Sequence, residues 1–189
     1  MGGVGVNWQV LGLGLINIIG GILVLGSYVQ GAATHPANSG ALWGNVPRRL
    51  KPFYVTSMMF AAAGYFAFSY FIFFRVDPDG ARVFGVLDFR TFLVAYAFVL
   101  FPSALWMPLT FAMLAHPSTW LWCATRITLA VVGLASLGLL AALLGLNYTE
   151  PAPLYWLAVA GAAAFCLQTA VLDALVWPVF FPAKGPARG

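Results

Sequence analysis

The chain has 189 residues, 62% of them hydrophobic and only 7% charged, with a net charge of +4 and a mean hydropathy of +0.90. Soluble domains carry about 25% charged residues, so this composition excludes a soluble globular protein. The nine Lys and Arg residues are too few and too scattered for a nucleic-acid interface.

Five apolar stretches, at residues 6–30, 53–74, 89–115, 119–146 and 154–181, are separated by short polar gaps. Each is near or beyond the ~20 residues a helix needs to cross a ~30 Å hydrocarbon layer. None has the polar stripe of a helix on a soluble surface. In lipid each backbone polar group must be paired inside its own segment. The expected fold is therefore an all-α membrane protein, a five-transmembrane-helix bundle set in a lipid bilayer, with residues 1–189 as one domain.

The first stretch begins at Val6 without a basic n-region or a small-residue cleavage site, so it reads as a retained helix rather than a signal peptide. Asn17 is its polar residue near the midplane, and Gly14 and Gly21 share a face suited to close packing. The segment 31–52, GAATHPANSGALWGNVPRRLKP, cannot span. It is expected to lie over the cytoplasmic mouth, with Trp43 either an interfacial anchor or part of a lid.

In the second stretch Ser57, Ala61 and Gly64 form a small-residue face. Phe60, Tyr65, Phe66, Phe68, Tyr70, Phe71, Phe73 and Phe74 surround the helix, facing lipid, partner helices or a flat apolar ligand. The following loop mixes Arg75, Arg82 and Arg90 with Asp77, Asp79 and Asp88, and Glu150 lies on the same side. The opposite side carries Arg48, Arg49, Lys51, Lys184 and Arg188 without a loop acid. The positive-inside rule makes that second side cytoplasmic, which puts the N-terminus outside and the C-terminus inside, by default in a bacterial inner membrane.

Pro102 and Pro108 should kink the third helix and free backbone carbonyls beside Ser103. Asn17, Ser103 and Gln168 then form a polar layer near the midplane, open to two readings: interhelical hydrogen bonds, or anchors of a ligand cavity. Deeper polarity comes from Arg126 in the fourth helix and Asp173 in the fifth, each one turn inside an interfacial tryptophan, Trp122 or Trp177. The pair is expected either to form an ion bridge or to stay apart, with Arg126 snorkelling to headgroups and Asp173 protonated or bonded to Thr169. Cys123 and Cys166 differ in depth by roughly 15 Å at 1.5 Å per residue, too far for a disulfide, and read as packing residues. His35 and His116 fall in loops, which argues against a haem held between helices. No metal-ligand spacing or nucleophile motif is present, so no catalytic or metal-binding residue is assigned and the chain is not expected to be an enzyme.

Several short runs then point in one direction. Lys51-Pro52 closes the first loop and Gly64-Tyr65 lies in the second helix. Ser103-Ala104-Leu105-Trp106-Met107-Pro108-Leu109-Thr110-Phe111 lies in the third, and Leu154-Tyr155-Trp156-Leu157-Ala158 opens the fifth. With five helices and a long first loop, the chain resembles the translocator protein family, the tryptophan-rich sensory proteins. It differs in having Ser103 for the family's Asn, no second proline pair after Trp43, and its acid in the fifth helix rather than the fourth. The resemblance implies a cavity opening toward the first loop that takes a porphyrin, a sterol or a similar flat apolar ligand. Trp43, Trp106, Phe111, Tyr155 and Trp156 are its implied lining.

Two functions follow as expectations. One is binding or sensing of a hydrophobic small molecule. The other is a non-catalytic structural subunit of a larger membrane complex, respiratory or photosynthetic, or a homodimer.

Overall fold

A computed structural model describes residues 7–148 and 153–181. The expected helix start at Val6 and the charges Glu150, Lys184 and Arg188 lie outside the described residues.

Five helices long and apolar enough to cross a membrane form the described structure. They are α1 (Trp8–Thr34), α2 (Lys51–Arg75), α3 (Arg90–Ala115), α4 (Thr119–Leu144) and α5 (Pro153–Phe180). The protein is an all-α five-helix bundle and an integral membrane protein. Local chemistry fixes the helix starts. The Asn7 carboxamide oxygen accepts the backbone N–H groups of Gln9 and Val10, and Ser118 accepts that of Leu121. Pro52 occupies the first turn of α2, where its missing N–H costs nothing.

One boundary and one winding differ from the sequence expectation. Helix α1 continues through Gly31 to Thr34, because Gly31 lies against Met107 and Phe111, where a Cβ would come within 2.7 Å of each. The first loop is correspondingly shorter and opens with a 3-10 turn, Pro36–Trp43. In α5, residues Leu167–Val176 wind as a π-helix before a last α-turn, Trp177–Phe180.

The helices pack in the order α1–α3–α4–α5–α2. The ring closes between α2 and α1 through side chains, with the Tyr65 hydroxyl donating to Asn17 Oδ1 at 2.5 Å. Small residues set the tight crossings. A Cβ on Gly64 would strike the Gly161 carbonyl of α5, one on Gly133 would come within 2.9 Å of Ala170 Cα, and one on Gly20 within 2.6 Å of Leu100. The glycine face expected in α1 is not the packed one. Gly14 is only within 4.0 Å of Phe73, and Gly21 has nothing within 4 Å.

The buried side chains form two clusters. One, near the α2–α3 connection, centres on Phe68, Phe71, Ile72, Phe89, Phe92 and Tyr96. The other, under the first loop, centres on Val46, Tyr54, Met113, Leu129, Leu172, Trp177 and Phe181. Ile18, Ile22, Phe60, Phe66 and Phe74 point outward, as a helix surface in hydrocarbon requires.

Candidate functional site

The polar groups deepest in the bundle gather toward the first loop, and the π-winding of α5 places two of them. In an α-helix, residues five apart point about 140° apart at 100° per residue. A π-helix closes i→i+5 hydrogen bonds, so residues five apart lie one above the other. Gln168 and Asp173 therefore share a face, and Gln168 Nε2 donates to Asp173 Oδ1 at 2.8 Å. Trp177 follows one turn later.

Aromatic groups from three other helices face this edge. The Tyr54 hydroxyl of α2 donates to the Leu172 carbonyl at 3.2 Å. Trp106 of α3 stands edge-on to Trp177, with ring centroids 5.9 Å apart, and Tyr28 of α1 stands edge-on to Trp106 at 6.1 Å. Tyr28 and Tyr54 both lie within electrostatic reach of the Asp173 carboxyl. Asp173 and Trp106 are only part-buried.

Three buried polar atoms here have no hydrogen-bond partner among the described residues: Trp106 Nε1, Gln168 Oε1 and Ser57 Oγ. The Tyr54–Leu172 and Gly64–Gly161 contacts set the register that brings Ser57 level with Gln168. A buried polar atom without a partner costs about 1–3 kcal/mol, and in a membrane interior no bulk water relieves it.

The first loop covers this end. Trp177 Nε1 donates to the Leu42 carbonyl at 3.0 Å, and the Asn45 N–H donates to the Phe180 carbonyl at 2.8 Å. Gly44 turns the chain at φ +53, a left-handed conformation natural to glycine, where a Cβ would meet the Phe180 carbonyl at 2.6 Å. Val46 of the loop is buried, Trp43 is half-buried against Tyr54, and Lys51 Nζ sits 5.5 Å from the Trp43 ring centroid.

Of the two arrangements open to Arg126 and Asp173, the structure has the one without an ion pair. Among the described residues, Arg90–Asp88 at 3.9 Å is the only ion pair within 4.0 Å. Arg126 is exposed and lies over the Trp122 ring, 4.6 Å from its centroid. A helical side chain leans toward the N-terminus, which carries the guanidinium onto the tryptophan one turn earlier. Nor does Asp173 bond Thr169, whose hydroxyl instead donates to Ser136 Oγ at 2.7 Å and joins α4 to α5.

The expected midplane layer is not one network. Asn17 pairs with Tyr65, Gln168 with Asp173, and Ser103 donates to its own helix at the Val99 carbonyl, 2.6 Å away. The five residues of the implied ligand lining also separate. Trp43, Trp106 and Phe111, the last stacked on His35 at 4.2 Å, lie toward the first loop. Tyr155 donates to the Leu143 carbonyl at the opposite end of the bundle, and Trp156 is 56% exposed on the outer surface. Tyr28 and Tyr54 were not singled out from the sequence. Tyr28 lies eleven residues from Asn17, three helical turns along the same face of α1, which is the signal that could have found it.

A separate groove of about 700 Å³ lies between α1 and α3, lined by Ile22, Leu23, Ser27, Gln30, Phe101 and Leu105. It opens outward, on the flank of α1 away from Asn17 and Tyr28. No protein-family model, curated protein or solved structure matches the chain.

Proposed function

We propose that this protein binds a flat hydrophobic molecule, of porphyrin, sterol or pigment shape, between its helices beneath the first loop, and performs no chemistry on it. The observation that carries this reading is the set of unpartnered buried atoms, Trp106 Nε1, Gln168 Oε1 and Ser57 Oγ, beside part-buried aromatic rings. A guest with an apolar body and a few polar atoms satisfies both, in the manner of small-molecule sites generally. The resemblance to the translocator protein family leads to the same ligand class.

The test is a titration of the purified protein with protoporphyrin IX, following tryptophan fluorescence and melting temperature. We expect saturable quenching and a higher melting temperature, since a ligand of the folded state stabilises it by RT ln(1 + [L]/Kd). Trp106→Leu should weaken both. Non-saturable quenching, or quenching indifferent to that substitution, would overturn the site.

A second reading, a structural subunit of a larger membrane complex or a homodimer, draws on α1. That helix packs along α3 and leaves Ile18, Ile22, Leu25 and Val29 outward. Stoichiometric partners on purification, with a chain unstable alone, would favour it. In either case we place the N-terminus outside and the first loop in the cytoplasm, in a bacterial inner membrane. Trypsin should then cut after Arg48 or Arg49 in inside-out vesicles, and cleavage confined to right-side-out vesicles would reverse the orientation.

A further inference from the structure

Asp173 is a carboxyl group at membrane depth that the protein leaves without a cation. Arg126, the one other Asp, Glu, Lys or Arg that lies inside a span and not at its end among the described residues, is turned away onto Trp122. No Lys, Arg or His among the described residues approaches Asp173 within 4.0 Å. Charged groups at this depth are paired or face a cavity, and a lone carboxylate is the costly arrangement.

What surrounds Asp173 is specific. Gln168 holds one carboxylate oxygen and presents its own unpartnered oxygen, giving two acceptors on one face of the π-segment. Tyr28, Tyr54, Trp106 and Trp177 bring aromatic rings from four helices to the same end of the bundle. Aromatic faces attract organic cations through their quadrupole, most strongly when desolvated, and acceptors beside them select a cation that still carries N–H. On the face of α1 that bears Asn17 and Tyr28, Gly21 meets nothing within 4 Å, so the wall is open there.

We propose that the cluster of Asp173, Gln168, Tyr28, Tyr54, Trp106 and Trp177 binds the protonated nitrogen of a hydrophobic aromatic amine. The nitrogen donates to Asp173 Oδ2 and Gln168 Oε1, and the ring system lies among the aromatics. This rests on the ligand-binding reading above and sharpens it, because it sets the charge of the ligand.

The experiment uses the full-length protein in nanodiscs of zwitterionic lipid. It compares 9-aminoacridine, a flat cation with N–H donors, with anthracene, a neutral molecule of the same three-ring shape, and with protoporphyrin IX. Binding is read by tryptophan quenching. The wild-type protein should bind 9-aminoacridine at least ~10-fold more tightly than anthracene, the scale expected of a charge-assisted hydrogen bond. Asp173→Asn, which preserves shape and the Gln168 contact, should abolish that preference. The wild-type preference needs no variant, so the proposal stays testable if Asp173→Asn does not fold.

Equal affinity of wild type and Asp173→Asn for 9-aminoacridine would overturn the proposal. Binding of protoporphyrin IX or anthracene without any preference for the cation would overturn it while leaving the ligand-binding reading intact. If none of the three binds, the ligand-binding reading falls and the amine site with it.

Discussion

Gly64 and Gly161 determine how closely α2 approaches α5, and through that crossing the level at which Ser57 meets Gln168. A methyl on Gly64 would collide with the Gly161 carbonyl, and backbone cannot step aside as a flexible side chain can. Gly64→Ala should therefore cost roughly 1–3 kcal/mol of stability, the range of core overpacking. Gly21 is the internal control. A Cβ there meets nothing within 4 Å, so Gly21→Ala should be neutral or stabilise by up to about 1 kcal/mol through helix propensity. Both variants can be measured by unfolding in mixed micelles of increasing SDS fraction. Similar effects from the two would mean that the α2–α5 crossing is not the tight contact described. The same scale explains why the two glycines could not be ranked from sequence. Each sits in a small-residue pattern, and only the crossing decides which one touches backbone.

At the scale of elements, the five spans were legible because one property, about twenty consecutive apolar residues, is sufficient to define each of them. Their packing details were not. A reading at 100° per residue sets Gln168 and Asp173 on different faces, and only the π-winding of residues Leu167–Val176 stacks them. That winding also accounts for a partner of Asp173 that is neither Arg126 nor Thr169. With Gln168 on its own face and the Arg126 side chain leaning back onto Trp122, matching depth was not enough to make an ion pair. Ser103 shows a related limit. Beside Pro102 its hydroxyl is spent on the Val99 carbonyl of its own helix, so it does not reach across the bundle. The first loop was readable as a cover from its length, its prolines and Trp43. Its fastening was not, because Trp177 Nε1 and the Phe180 carbonyl reach it from α5, 135 residues away in sequence. Tyr155 and Trp156 resembled ligand-lining residues as a run, but their place at the start of α5 puts them at the far end of the bundle.

For the whole molecule, the order α1–α3–α4–α5–α2 leaves one seam that backbone packing does not close. Between α1 and α2 the hydrogen bond from Tyr65 to Asn17 is the fastening, and Asn17 is itself tied to the Leu13 carbonyl through Nδ2 at 2.9 Å. Farther along the same face of α1 come the open side of Gly21 and then Tyr28 at the polar site. A ligand reaching that site from the bilayer would pass this seam rather than the α1–α3 groove, which faces outward. Tyr65→Phe keeps the ring among Phe68, Tyr96 and Phe165 but leaves the Asn17 oxygen without its donor. The expected loss of stability is about 1–2 kcal/mol. Because the seam is loosened and the site untouched, protoporphyrin IX should quench tryptophan faster in stopped-flow mixing at an equilibrium affinity changed by less than about threefold. An unchanged association rate together with the lower stability would place the route elsewhere, under the first loop, where loosening the Trp177–Leu42 hydrogen bond would be the step that admits the ligand.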